Sequence, residues 1–175
     1  MNIREATIDD AEDIKHVHLR AFENAEAQMV SDFAVKLLNE THPVRIISLV
    51  AMENNEIVGH AAFSPVFLES TNEHLGYILA PLAVSPEFQK RKIGSTLVKY
   101  GLDTLSKMGS FIVFVYGDPK YYCRFGFKTD LARTFLPPYS LQHPEGWHAL
   151  VLNSATLPKG GKITCVDSLD DPNLW

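Results

Sequence analysis

Cysteine is scarce in this 175-residue chain, with Cys123 and Cys165 as its two copies. They lack C-x-x-C spacing, which argues against a disulfide scaffold and suits a reducing compartment. Long apolar runs are missing too. No stretch reaches the roughly 18 residues that a membrane span needs, and residues 1–5 run into acidic residues with no apolar leader, so an unprocessed, cytoplasmic protein with no membrane partner is expected. An excess of positive charge is also absent. Sixteen Lys and Arg against 21 Asp and Glu give a net charge of −5, the wrong sign for a domain built around nucleic-acid phosphates. Neither G-x-x-x-x-G-K-[ST] nor G-x-G-x-x-G occurs, which excludes a P-loop and a Rossmann dinucleotide site. The histidines lack ligand spacing: His16 and His18, two apart on a helix, point about 200° apart around its axis and do not clamp one ion. No metal is expected.

What is present is an ordinary globular composition, 46% hydrophobic and 21% charged with 10 Gly and 10 Pro. Such a chain buries roughly 70% of its unfolded surface and folds without staples. One domain over residues 1–175 is expected. Residues 2–8 read as a strand, and Asp9 with Glu12 as a capping box opening a first helix that carries Ile14, Val17 and Ala21. Val30, Phe33, Ala34, Leu37 and Leu38 recur at i, i+3, i+4, i+7 and i+8, a second amphipathic helix closed by His42-Pro43. Residues 45–52 and 56–67 are β-branched and apolar around the turn Glu53-Asn54-Asn55-Glu56, which predicts a hairpin. Residues 74–85 form a third strand interrupted by Pro81. Leu97, Val98, Gly101, Leu102 and Leu105 make one helical stripe, and residues 111–116 are a continuous apolar run typical of a strand buried on both faces. Later segments give strands at residues 148–152 and 163–166 and an acidic tail from Asp167.

The chemistry concentrates in Leu82-Ala83-Val84-Ser85-Pro86-Glu87-Phe88-Gln89-Lys90-Arg91-Lys92-Ile93-Gly94-Ser95, a strand that turns into a helix beginning near Ile93. The first turn of a helix leaves about four N–H groups unpaired and carries partial positive charge. Three consecutive cations at that end oppose the macrodipole unless an anion occupies it, and a diphosphate meets the requirement. A solvated basic run is the plain alternative. The break at Pro81 predicts free N–H groups at Leu82 and Val84, against the alternative of a simple β-bulge.

These residues resemble the signature of the GNAT superfamily of acyl-CoA-dependent N-acyltransferases, Gln/Arg-x-x-Gly-x-Gly/Ala after a strand with an L-x-V-x-P-like end. Gln89, Ile93 and Gly94 match, and Lys92 stands where the pattern has its first Gly. Tyr121-Tyr122-Cys123-Arg124-Phe125-Gly126-Phe127 is similar to the family's aromatic segment, and Gly117-Asp118-Pro119 before it resembles a subgroup with a shortened connection. The resemblance covers residues 2–127, with residues 128–175 less diagnostic.

It implies an α+β fold with a mixed, mostly antiparallel sheet flanked by helices, whose central parallel pair is joined by the helix from Ile93. It implies acetyl-CoA as co-substrate, held on the amides of Lys90, Arg91, Lys92, Ile93, Gly94 and Ser95 with Gln89, and by Leu82 and Val84 through their backbones. Tyr122 is implied as the acid that protonates the departing thiolate; packing is its alternative role. The acceptor is then an amine, a small molecule or a peptide, used by a monomer or a homodimer. Glu26, Glu73, His74 and Tyr77 lie on elements near the acceptor side, and none is singled out as base. A CoA-binding sensor or interaction module on the same fold is the alternative function. A nucleophilic Cys123 with His148 lacks any sign of an activated thiol.

Overall fold

The computed structural model describes residues 1–153 and 157–175. Their strands are β1 (Asn2–Glu5), β2 (Ile47–Glu53), β3 (Glu56–Leu68), β4 (Glu73–Val84), β5 (Ile112–Tyr116), β6 (Phe135–Leu136), β7 (Trp147–Val151) and β8 (Gly161–Thr164). The helices are α1 (Ala11–Ala21), α2 (Asn24–Asn39), α3 (Ile93–Lys107), α4 (Pro119–Tyr122) and α5 (Thr129–Ala132). Among the described residues the sheet is eight-stranded and mixed, with main order β1-β2-β3-β4-β5-β7, β8 against β3, and β6 against β8. Backbone contacts divide the chain into two compact units, one of residues 1–63, 81–101 and 174, the other of 64–80, 102–173 and 175. Strands β3 and β4 and helix α3 run through both.

In the first unit β2 pairs antiparallel with β1 and with β3. The β2–β3 turn is carried by Asn54 and Asn55 at φ +50° and +67°, the left-handed pair that a two-residue hairpin needs and that Asn tolerates. On α2 the apolar stripe buries Phe33, Ala34 and Leu37, and Ile14, Ala34 and Val50 form a core with Ala6, Leu38 and Ile57 around it. Gly101 continues the α3 stripe because a Cβ there would lie 2.1 Å from the Phe63 ring.

Local chemistry moved several boundaries. Strand β1 stops at Glu5, because the Asp10 carboxylate draws the chain into a turn by accepting the Thr7 N–H at 2.7 Å and both Arg4 nitrogens at 2.7 and 2.8 Å. The expected Asp9–Glu12 box is thus replaced by Thr7 and Asp10. Those bonds, the Arg4 pair first, hold the Asp10 carboxyl down at about 2. Helix α2 ends at Asn39, short of His42-Pro43. Pro81 does not interrupt β4, which runs on to Val84.

In the second unit β4 and β5 run parallel, with Tyr77 opposite Val113 and Leu79 opposite Val115, the pair that the α3 connection was expected to join. Strand β7 adds antiparallel to β5. Phe114 stacks on Trp147 at 5.2 Å. The acidic tail from Asp167 is held down at its end: Trp175 is buried and its indole N–H donates to the Leu169 carbonyl at 3.1 Å.

A buried polar chain ties three elements of the first unit. His18 Nε2 lies 2.8 Å from His60 Nδ1, and His60 Nε2 lies 2.9 Å from Ser48 Oγ. Burial pushes His18 down to about 3, and burial with the neighbouring His18 pushes His60 well below its ordinary value. In the unfolded chain both imidazoles titrate near about 6.5. Below that pH the unfolded state therefore binds more protons, and stability is lost as pH falls, by up to about 1.4 kcal/mol per pH unit for each histidine. Urea unfolding is expected to give a constant midpoint above about pH 7 and a falling one below it. A midpoint unchanged down to about pH 5 would show that the fold accepts these protons.

Candidate active site

The first unit contributes an open helix terminus. The first intrahelical bond of α3 runs from the Thr96 N–H to the Lys92 carbonyl at 2.9 Å, so the amides of Ile93, Gly94 and Ser95 precede the ladder and have no helical acceptor. The loop into it, residues 89–92, turns sharply: Lys90 has φ +61° and Lys92 φ +66°. Lys92, at the glycine position of the signature, thus keeps the left-handed backbone that glycine adopts freely. All three cations are exposed. The Arg91 guanidinium sits 2.8 Å from Glu53 and 5.3 Å over the Phe88 ring, which fastens the loop to the β2–β3 turn. The Gln89 amide donates to the Val84 carbonyl at 3.0 Å. It ties the loop to the strand end.

That strand end presents a polar edge. The Ser85 N–H donates to the Val58 carbonyl of β3 at 2.9 Å, and because N–H groups alternate along a strand, those of Leu82 and Val84 face the other edge. Both residues are half-buried.

The second unit holds Tyr122 at the end of α4. Asp118 caps this turn, accepting the Lys120 N–H at 2.9 Å, with Pro119 at its first position. Asp-Pro is a helix-start signal that the sequence displays and that the resemblance alone had carried. The Tyr122 ring packs against Tyr121 at 5.0 Å, Phe127 at 5.9 Å and Phe125 at 6.5 Å. A Cβ on Gly117 would lie 2.6 Å from Tyr122 Cε2, so the glycine opens the space that the ring fills. Burial first, then Tyr121 and Asp118, raises the phenol far above its ordinary value. The hydroxyl stays protonated throughout the physiological range.

Other candidates are placed elsewhere. Parallel pairing of Tyr77 with Val113 puts Glu73 and His74 level with the start of β5, roughly 20 Å along the strands from the Tyr116 end that leads to Tyr122. Cys123 is exposed and its thiol faces the Lys120 carbonyl at 3.6 Å, while buried His148 turns Nδ1 to the Gly146 carbonyl at 2.8 Å. No three His, Cys, Asp or Glu side chains among the described residues gather around a metal position.

A mixed sheet whose parallel strands β4 and β5 are joined by a helix with an open N-terminus is the arrangement shared with solved acetyltransferases. A family model described as an acetyltransferase (GNAT) domain matches residues 2–129, and the chain belongs to that family. It is 34% identical to the uncharacterised N-acetyltransferase YjhQ of Escherichia coli K12, over 90% of this chain and 88% of YjhQ. The crystal structure of the GNAT family N-acetyltransferase YhbS from E. coli in complex with CoA superposes with a TM-score of 0.80 at 25% identity, covering 97% of this chain and 92% of that one. A GNAT family acetyltransferase from Brucella melitensis in complex with acetyl-CoA gives 0.77 at 27% identity, covering 97% of each.

The left-handed turn at Lys92 gives a direct test of the loop. Lys92→Val, a β-branched residue at positive φ, is expected to lower stability by about 1–2 kcal/mol, whereas Lys92→Gly, which relieves the side-chain strain, is expected to cost none. Thermal melts of the two variants check this ordering.

Proposed function

We propose that this protein transfers an acetyl group from acetyl-CoA to a primary amine by direct attack of the amine on the thioester, with residues 1–175 acting as one functional domain. The observation that carries the reading is the loop at residues 89–92, which keeps positive φ at Lys90 and Lys92 and delivers the chain to an open helix terminus. The amides from Lys90 to Ser95 hold the pyrophosphate. Lys90 and Lys92 add charge, and Arg91 serves mainly through its backbone because its guanidinium is engaged by Glu53.

The free edge of β4 at Leu82 and Val84 pairs with the amides of the pantetheine arm, and an N–H there polarises the thioester carbonyl. The amine nitrogen then forms its bond to the carbonyl carbon, the C–S bond breaks, and Tyr122 gives its proton to the departing sulfur. Burial keeps this phenol in its donor form at every working pH. The same feature favours transfer over a sensor or interaction module, which has no use for a proton donor beside the glycine-lined end of β5.

Tyr122→Phe keeps the ring and deletes the proton. Its kcat is expected to fall by about 10² to 10⁴-fold, with the dissociation constant for acetyl-CoA changed less than about threefold. Tyr121→Phe is the control and should cost little. Free-thiol release and calorimetry read the two quantities, and wild-type turnover in Tyr122→Phe under chemistry-limited conditions would remove the acid role. Calorimetric affinity for acetyl-CoA should also weaken as salt rises, because the loop contributes charge to an anion.

A further inference from the structure

The proton donor on sulfur accounts for one side of the reaction, and the attacking amine needs a proton acceptor on the other. Residues 143–146 form a tight loop on the end of β5. The His143 N–H donates to the Tyr116 hydroxyl at 3.0 Å, the Gly146 N–H to the His143 carbonyl at 2.8 Å, and the Gly117 N–H to the Gly146 carbonyl at 3.0 Å. A Cβ on Gly146 would lie 3.0 Å from the Tyr116 ring and 3.1 Å from the Gly117 carbonyl, so the loop sits this close because residue 146 is glycine. Its two ionisable side chains face each other, His143 Nδ1 lying 3.4 Å from Glu145 Oε1 with both side chains about two-thirds exposed or more.

Tyr116 ends β5 and Gly117 follows it directly. Tyr116 holds the His143 loop, and the open position of Gly117 is filled by the Tyr122 ring. The imidazole–carboxylate pair and the phenol thus both adjoin the end of β5. Acyl transfer to an amine needs both a proton acceptor for the nitrogen and a proton donor for the departing sulfur within reach of one carbonyl carbon. We infer that His143, oriented by Glu145, is the proton acceptor for the attacking amine; the inference rests on the transferase reading above.

The ammonium gives one proton to His143 Nε2, the ring edge turned away from Glu145, and His143 passes it to solvent. The nitrogen lone pair forms the C–N bond, the C–S bond breaks, and Tyr122 protonates the thiolate. The second proton shed by the new amide nitrogen returns through water to the Tyr122 phenolate. Glu145 from its own loop and the Tyr116 hydroxyl from β5 face His143, while His148 on β7 is turned to the Gly146 carbonyl.

The test measures thiol release from acetyl-CoA with phenethylamine, spermidine, lysine and trialanine as probe acceptors, alongside calorimetry with acetyl-CoA. In His143→Gln the kcat on an accepted probe should fall by about 10²-fold or more, acetyl-CoA affinity should stay within about threefold, and the acidic limb of the kcat/KM profile should disappear. Glu145→Gln should lower kcat less than His143→Gln does and leave KM for the probe unchanged, because it frees the ring without removing the acceptor. Added imidazole should partly restore His143→Ala, a rescue that a merely structural loop residue would not show. If His143→Gln keeps kcat and the limb while Tyr122→Phe loses turnover, the base assignment falls and the transferase reading stands. Acetyl-CoA binding without turnover of any probe by the wild-type protein would overturn both.

Discussion

The chemistry of this fold depends on how far β5 stays beside β4. Their parallel ladder runs from Tyr77 and Val113 to Leu79 and Val115, and β5 ends one residue later at Tyr116. Strand β4 continues five residues beyond Leu79 to Val84. A strand that outlasts its parallel neighbour carries N–H and C=O groups along an edge that the neighbour no longer fills. In the proposed reaction such an edge recognises an extended amide chain through backbone geometry alone, so Leu82 and Val84 need no particular side chain there. The same proposal leaves the side-chain chemistry to the loop after β4 and the turn after β5.

Both of those segments are held by contacts that serve position. Gln89 grips the Val84 carbonyl, Arg91 grips Glu53 across to the hairpin turn, and Asp118 caps α4 so that Tyr122 meets Gly117. The salt bridge to Glu53 is half exposed on the Arg91 side, where an ion pair contributes little to global stability. Its effect is local: it fixes where the left-handed turn begins, and the Phe88 ring beneath the guanidinium reinforces the same placement.

Much of this was legible in the residues because local physics and tertiary structure agree. Asn54-Asn55 is a left-handed pair in any context, the run at residues 112–116 has no polar face to expose, and Phe33, Ala34 and Leu37 define one side of a helix. The signature around Gln89 and Gly94 pointed to an open helix terminus, and the structure adds that Lys92 accepts the glycine conformation. Elsewhere distant groups decided the outcome. Arg4 and Asp10 set the first turn through a bidentate bond that outweighs the Asp9–Glu12 spacing. Trp175 docks its indole on the Leu169 carbonyl, so the acidic tail is held down. His18 and His60 lie 42 positions apart, so no periodicity links them, and the His143–Glu145 pair lies in a loop whose shape comes from Tyr116 and two glycines.

The chain from His18 through His60 to Ser48 has a consequence for how the molecule avoids misfolded states. Side chains on a strand change face with every residue, so pairing β2 against β3 one position out of line would swing His60 away from His18 and part it from Ser48. Three polar groups would then lie without partners in a dry interior, at a cost of about 1–3 kcal/mol for each. Val50, Ala51, Ala61 and Ala62 are too similar in shape to penalise such a slip strongly. The histidine chain therefore works as a proofreader of the hairpin, rejecting alignments that the apolar residues around it would tolerate.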